Sequence, residues 1–432
     1  MIFIQRKQKE KAVVPVENEG NNGANIFTQY MQKRNQIVKN KKILQSSYIP
    51  SNLPHRTDKI NEIVEIIAPS LNRDKPSNIL IIGKTGTGKT AVINYIGKEL
   101  KKADKDEENC KFIYVNCEVV DTPYGILYNI SNQIITDPSK RIPFTGWSLD
   151  KIFAELTDYV DKQDKVFIVV LDEIDRSFEK NGDDIFYYLT TINELLENSR
   201  VSIIGITNNS RFTEMLSTKI KSRLGEEKII FPPYTVEQLG DILVERAKDA
   251  FEEGILDSDV IPYCAALSAQ EMGDARKALD LLRISADLAE RNGDTVVTAA
   301  HVRLARSKIE LDAVSEVIKT LTVQSKIVLM SIIKNTEDEN MTVMTTGDVY
   351  TMYKYVCEAI SQTILTQRRV AGLISELDML GIVHARVKSF GRQGRTKEIS
   401  LNTPKEIINM VKSDEVFRGL DSYRPQKQMT LM

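Results

Sequence analysis

The chain has 432 residues, of which 42% are hydrophobic, and a formal net charge of −2 at pH 7. This length predicts two to four folded domains, and the near-neutral charge excludes a nucleic-acid-binding coat over the whole surface, so any such contact needs a local basic patch. The four cysteines form no Cys-x-x-Cys pair, which argues against a disulfide framework and a zinc site. No apolar stretch is long enough for a bilayer, so we expect a cytoplasmic protein.

The first two predicted regions differ in composition. Residues 1–45 are rich in Asn, Gln, Lys and Glu, which predicts a flexible arm ending in a basic run of Lys39, Lys41 and Lys42. From 46 to 232, short β-branched runs alternate with amphipathic segments, which predicts an α/β domain whose parallel sheet is flanked by helices. The five predicted strands are Ile79–Ile82, Phe112–Val115, Val166–Leu171, Val201–Ile206 and Lys228–Phe231.

A P-loop directly follows the first predicted strand. With the next residue it comprises Gly83, Lys84, Thr85, Gly86, Thr87, Gly88, Lys89, Thr90 and Ala91. The glycines let successive N–H groups cradle phosphate oxygens, Lys89 is expected on the β/γ-phosphates, and Thr90 on Mg²⁺. A glycine-rich turn that binds nothing is the alternative, but strand, full motif and following helix coincide here. The sequence therefore predicts a nucleoside-triphosphate site.

Two further predicted strands end in polar residues. Val166–Leu171 runs into Asp172 and Glu173, the Walker B pattern, in which Asp172 reaches the Mg²⁺ shell and Glu173 orients and deprotonates the attacking water. Val201–Ile206 runs into Asn208, which could hold the water or the γ-phosphate; a simple turn is the alternative. These side chains are predicted to surround the triphosphate.

A second domain is predicted from 233 to 313. Pro232-Pro233 breaks the chain, and the spacing of apolar residues is helical from there on, which predicts an all-helical domain. Arg276 lies at the start of one of its helices, where a guanidinium could bridge the domains through the γ-phosphate. A solvated helix-start arginine is the alternative.

The region 314–405 predicts a winged helix, and 406–432 is left as a tail. Helices are predicted at Gln324–Lys334 and Gly347–Ile360, and a third helix follows Thr366 as N-cap. The alternating runs Ile382–Phe390 and Thr396–Leu401 predict a β-hairpin. Three helices and a hairpin are the winged-helix arrangement.

Residues 366–397 of that region are strongly basic, with seven Lys and Arg against two acidic residues. Arg368 and Arg369 occupy a first helical turn, where the helix dipole disfavours cations, so an external anion explains them better than helix stability does. The residues predicted to contact DNA here are Thr366, Gln367, Arg368, Arg369, Arg392, Arg395 and Lys397. The alternative is a solvated hairpin, or a domain that contacts only proteins.

The motifs, taken in order, resemble those of the archaeal origin-recognition and cell-division-cycle initiator proteins, a branch of the AAA+ ATPases. The resemblance covers roughly 48 to 402. Its motifs are Leu-Pro-His-Arg (53–56), the P-loop, Leu-Asp-Glu-Ile-Asp (171–175), Thr-Asn-Asn (207–209), residues 224–234 and residues 273–282. It implies an α/β AAA+ core on a five-stranded parallel sheet, a helical lid and a C-terminal winged helix.

The resemblance also implies a function. Such a protein binds ATP or ADP with Mg²⁺, hydrolyses ATP slowly as a switch, and binds double-stranded origin DNA at the nucleoid. Its implied partners are the replicative minichromosome-maintenance helicase and paralogous initiator subunits. A nucleotide-responsive winged-helix transcription regulator is the alternative function, and a clamp-loader-like or repair motor is disfavoured because such proteins lack the terminal winged helix.

Individual residues take roles from the resemblance. Asn208 is implied as the first sensor and Arg276 as the second, with Tyr234 and Arg246 as nucleotide contacts of the lid. Arg223 lies where some AAA+ proteins carry an arginine finger, and a surface arginine is the alternative. An extra DNA-contacting loop of the family is matched by Phe144, Thr145 and Gly146, followed by Trp147, for which a core position is the alternative.

Overall fold

The computed structural model describes residues 37–338, 341–389, 395–418 and 420. The chain divides into two compact units, Met1–Val302 and Arg303–Met432. No helix of the described residues is long and apolar enough to cross a membrane.

The first unit contains a five-stranded parallel sheet of order β2-β3-β4-β1-β5. Its strands are β1 (Ile79–Gly83), β2 (Cys110–Asn116), β3 (Val166–Asp172), β4 (Arg200–Thr207) and β5 (Glu227–Phe231). Alternate residues of β3 belong to two different buried clusters: Phe167 packs in one, and Ile168 packs in the other. Both faces of the sheet are therefore covered, as its continuous apolar strands require. The predicted parallel sheet is confirmed.

Helices surround this sheet. They are α1 (Thr57–Ile67), α2 (Lys89–Ala103), α3 (Pro123–Ile134), α4 (Leu149–Asp161), α5 (Ile174–Asn181), α6 (Asp184–Thr191), α7 (Phe212–Met215) and α8 (Thr218–Leu224). Because the strands are parallel, their carboxyl ends meet at one edge, where β1 leads into the P-loop and β3 ends at Asp172. This edge positions the site.

The lid consists of α9 (Val236–Ala250), α10 (Val260–Gln270) and α11 (Ala275–Asn292). A capping box between Thr235 and Gln238 starts α9, and the Asp274 side chain caps α11. The last helix to begin in the first unit is α12 (Ala299–Thr320), which includes the boundary between the units. The predicted all-helical lid is confirmed.

The prediction of a flexible arm at residues 1–45 is wrong for residues 37–44. Ile37 and Val38 are only 2% and 1% exposed, and a 3₁₀ turn at Lys41–Leu44 packs on α9 and α11. Lys41 Nζ pairs with Asp287 and lies 2.8 Å from Glu290 Oε2. The lid supplies both the apolar and the acidic surface, which the composition of the segment alone does not reveal. Residues 1–36 lie outside the described part.

The second unit has the winged-helix arrangement, which confirms that prediction. It contains α13 (Val323–Asp338), β6 (Met344–Thr345), α14 (Thr346–Ala359), α15 (Gln367–Met379), β7 (Val383–Ser389), β8 (Arg395–Leu401) and α16 (Lys405–Lys412). The antiparallel sheet has the order β6-β8-β7. Ile407 and Val411 of α16 are buried in the core of this unit, although residues from 406 were predicted to be a tail.

Candidate functional site

The P-loop connects β1 to α2 and contacts the lid. Gly86 and Gly88 have φ angles of +71° and +89°, a conformation that glycine adopts without strain. A Cβ atom on Gly86 would lie 1.7 Å from Asp274 Oδ1, and one on Gly88 would lie 2.6 Å from the Tyr234 hydroxyl. Both glycines are therefore required by backbone conformation and by the close approach of lid-side residues.

Lys89 is held at the tips of two neighbouring strands. Its side chain is buried, and Nζ donates hydrogen bonds to Gly83 O at 2.8 Å, to Lys84 O at 2.7 Å and to Asn208 Oδ1 at 2.8 Å. The pKa of Lys89 is lowered to about 8, chiefly by burial; the nearby Asp172 raises it and Arg276 lowers it. Lys89 and Asn208, predicted from separate motifs, thus meet at one point.

Asp172 binds two hydroxyl groups. Its Oδ2 accepts hydrogen bonds from Thr90 Oγ1 and from the Tyr114 hydroxyl, each at 2.7 Å. Thr90 was predicted at this place, whereas Tyr114 was missed. Tyr114 lies on β2, and only the pairing of β2 with β3 brings its hydroxyl to Asp172. Tyr114 could be identified as a partner of Asp172 only from the order of the strands in the sheet.

Glu173 follows Asp172 at the end of β3. Its φ of +57° is left-handed, and it occupies the N-cap position of α5. Burial raises the pKa of the Glu173 carboxyl, as do the negative charges of Glu118 and Asp172. A carboxylate with a raised pKa is a better acceptor for a proton from water than an ordinary surface glutamate.

A cavity of about 350 Å³ lies beside the P-loop. Arg276 lines it and contributes to lowering the pKa of Lys89, so the predicted second sensor shares a site with the P-loop. The other lining residues include Gly86, Gly88, Thr90 and Ala91 of the P-loop and α2, Ile242, Arg246, Ala275 and Leu279 of the lid, and Ser46, Ser47, Tyr48, Ile49, Pro50, Asn52, Leu53 and Pro54. Residues 46–52 of this segment were missed by the sequence analysis, because they read as an ordinary loop, and the motif at 53–56 was given no role there. The volume suits a small-molecule ligand.

The two predicted lid-side contacts differ in what they bind. Tyr234 is 7% exposed and lines the cavity. Arg246 also lines it, but its guanidinium donates to the Ile43 and Tyr48 carbonyls, each at 3.3 Å, and lies 4.9 Å from the Tyr48 ring. Arg246 therefore fixes the segment that forms one wall of the cavity.

The other polar P-loop residues differ in burial. Thr87 is fully buried and donates its hydroxyl to Lys84 O at 2.8 Å. Lys84 and Thr85 are exposed. The P-loop side chains that bond to the residues at the other strand ends are thus Lys89 and Thr90.

Arg223 lies on α8 and is not among the residues that line this cavity. It pairs with Glu194 of the same chain and donates from Nη1 to Thr190 O at 3.4 Å. Its role as an arginine finger stays a prediction.

The loop predicted to contact DNA presents an aromatic side chain. Phe144 is 72% exposed and touches the Tyr128 ring edge-on, with ring centroids 5.4 Å apart. Thr145 and Gly146 are also exposed, whereas Trp147 is half-buried against the core and carries Lys151 Nζ 4.0 Å from its ring centroid. Phe144, not Trp147, is the accessible ring of this loop.

In the second unit, the basic residues at the start of α15 are accessible. Thr366 caps the helix by accepting from Arg369 N, and Gln367, Arg368 and Arg369 are exposed. Lys397 Nζ instead donates to Ser375 Oγ on α15. Arg392 lies outside the described residues, and Arg395 is described only as the first residue of β8.

Family models match three successive parts of the chain. They are an AAA domain at 72–216, a Cdc6 AAA+ ATPase-type lid domain at 240–307, and a CDC6 C-terminal winged helix domain at 316–411. The three domain types correspond to the sheet, lid and winged helix seen in the structure.

Relatives align over nearly the whole chain. The ORC1-type DNA replication protein of Thermococcus kodakarensis is 46% identical over 94% of this chain and 98% of its own length. ORC1-type DNA replication protein 1 of Methanosarcina mazei is 51% identical over 87% and 90%. The solved structure of Aeropyrum pernix ORC1 in complex with DNA has a TM-score of 0.73 and 42% identity, covering 89% of this chain and 99% of that one.

Proposed function

We propose a function from one established premise: the chain belongs to the family of ORC1-type DNA replication proteins. It is an initiator that binds duplex origin DNA, holds ATP between its core and its lid, and uses slow ATP hydrolysis as a switch. The observation that carries this proposal is the hydrogen bonding of Lys89 to Asn208 and of Thr90, which lines the cavity, to Asp172.

The residues fit a nucleoside triphosphate with Mg²⁺. The positive φ angles of Gly86 and Gly88 shape the loop in front of α2, and the N-terminus of α2 offers N–H groups to an anion. Thr90 and Asp172 would hold Mg²⁺, since both present oxygen atoms, and the ion when bound neutralises phosphate charge. Lys89 adds a buried cation to the same place.

Hydrolysis needs a base and an orienting group. Glu173, with its raised pKa, is suited to accept a proton from the attacking water. Asn208, held by Lys89, offers an amide to orient that water or the γ-phosphate. Arg276 reaches the site from the lid and stabilises negative charge there.

The switch follows from the composition of the cavity. Arg276 and Arg246 belong to the lid, whereas Gly88 and Thr90 belong to the core side. A ligand that touches both sides binds the closed arrangement more tightly than an open one, and so shifts the population toward closure.

DNA contact is assigned to two surfaces. The first turn of α15 presents Arg368 and Arg369 as a recognition helix does, and the Aeropyrum ORC1 structure is a complex with DNA. Phe144 and its exposed neighbours form the second surface. DNA binding would place the protein at the nucleoid, where it would help to recruit the replicative minichromosome-maintenance helicase. Arg223 is kept as the candidate arginine finger toward a paralogous subunit, with a surface arginine as the alternative.

Genome-wide occupancy tests this function. The initiator should occupy one or a few strong sites beside replication starts, and purified protein should protect those sites from nuclease with a footprint that changes with ATP. Occupancy at many promoters and none at replication starts would instead support a nucleotide-responsive transcription regulator.

A further inference from the structure

Arg56 ends the motif at residues 53–56, and no role follows for it from the nucleotide site described above. Its residue exposure is 3%, and burial lowers the pKa of its guanidinium. In the described parts of the chain, its hydrogen bonds go to backbone carbonyls and not to a carboxylate. A buried cation is costly without such a partner, so the position calls for an explanation.

The guanidinium joins the P-loop to the connection between core and lid. Nε donates to Thr87 O at 3.0 Å, and Nη2 donates to Pro232 O at 2.8 Å. Its Cζ atom lies 3.8 Å from the centroid of the Tyr234 ring. We call residues 232–235 the hinge, because they connect β5 to α9.

The hinge is connected to the P-loop by a second route. Tyr234 N donates to Gly273 O at 3.3 Å, and Gly273 is followed directly by the start of α11. Ala275 N then donates to Gly86 O at 3.2 Å. The contacts therefore form a closed ring through the P-loop, Arg56, the hinge and the start of α11.

We propose that Arg56 is a positioning residue that transmits nucleotide binding from the P-loop to the hinge and thereby sets the position of the lid. This rests on the ATP binding proposed above. A guanidinium is rigid and planar, so it can donate to two carbonyls and stack on an aromatic ring at the same time. A lysine ammonium is a point charge on a flexible stem and cannot make these three contacts together. A shift of the Thr87 carbonyl would move the guanidinium, and with it Pro232 and Tyr234.

The test uses the full-length protein and the variant Arg56→Lys, which keeps the charge. Fluorescent-ATP titration measures affinity, and hydrogen exchange of the Tyr234 and Ala275 amides, with and without ATP, measures the hinge response. Arg200→Lys is the matched control, because Arg200 Nη1 also donates to backbone carbonyls, those of Glu197 and Ser199, at the opposite end of the sheet.

Allosteric couplings commonly span about 5- to 150-fold. We therefore expect ATP to slow exchange at the two amides about tenfold in the wild type and in Arg200→Lys. In Arg56→Lys the slowing should fall below about twofold, while ATP affinity stays within about threefold of the wild type. If Arg56→Lys does not fold, Tyr234→Leu removes the stacked ring and keeps the guanidinium; because Tyr234 also lines the cavity, its response is measured at saturating ATP, where the same loss should appear.

The outcomes separate this inference from its premise. Normal slowing in Arg56→Lys, or in Tyr234→Leu, would overturn the coupling, and so would a wild type that binds ATP without any response at the two amides. A wild type that binds no ATP would overturn the proposed nucleotide site itself.

Discussion

Gly86→Ala tests the contact between the P-loop and the lid. The new Cβ would lie 1.7 Å from Asp274 Oδ1, at a φ of +71°. The left-handed backbone costs about 1 kcal/mol for alanine. The displaced Asp274 loses its cap of α11, where Oδ1 now accepts from Arg276 N at 2.8 Å, and this costs about 1 kcal/mol more. Both costs fall on the closed arrangement of P-loop and lid that ATP is proposed to bind, so its affinity should fall about thirtyfold.

A double-mutant cycle separates the two costs. Asp274→Ala alone loses only the cap and should weaken ATP binding about fivefold. In the Asp274→Ala background, Gly86→Ala should add only the backbone strain, because the carboxylate that it would strike is gone. The double variant should therefore bind about thirtyfold more weakly than the wild type, where independent effects would give about 150-fold.

Titration of each variant with a fluorescent ATP analogue measures the cycle, and thermal denaturation checks that all four proteins are folded. Independent effects, with the double variant near 150-fold, would refute the argument that Asp274 and Gly86 compete for the same space.

Three other predictions follow from the site. Glu173→Gln should retain ATP but slow phosphate release by about 10²–10⁴-fold, since the amide cannot accept the proton; turnover at the wild-type rate would contradict its assignment as the base. The pKa of Lys89 is lowered to about 8, so below this pH the ammonium is charged, and ATP affinity measured by titration should fall as pH rises above it. An affinity that is flat from pH 7 to 9.5 would contradict a direct phosphate contact, because loss of the charge allows a fall of up to about tenfold per pH unit. The double variant Arg368→Ala, Arg369→Ala should weaken duplex binding and lower the slope of log affinity against log salt by about two. Lys405→Ala on α16 is the surface control. An unchanged slope in the double variant would show that α15 does not contact DNA.

Local patterns predicted the strands and the motifs because each depends on neighbouring residues. The run ending in Asp172 and Glu173 is apolar because β3 is buried on both faces. A continuous apolar run of this length indicates a buried strand, so the sequence alone predicts it. The P-loop is also predictable from neighbouring residues, because all of its special backbone positions lie in one short turn.

The remaining features depend on contacts between distant residues. Tyr114 meets Asp172 only because β2 pairs with β3, and the sequence contains no sign of that strand order. The wall of the cavity at 46–54 is fixed by Arg246, which is remote in the chain. The burial of Ile37 and Leu44 similarly requires the lid helices, so composition alone suggested an arm.

The attachment of residues 37–44 to the lid has a mechanical consequence. The chain passes from this segment, packed on α9 and α11, into α1 of the core, and it returns to the lid through residues 232–235. Two separate segments of the chain thus connect the lid to the core. A domain joined to its neighbour by one chain segment can rotate in any direction. A domain joined by two segments rotates most easily about the axis that passes through both of them. The lid should therefore rotate about one axis, which passes through its two connections to the core, and residues 45–56 form one of these connections.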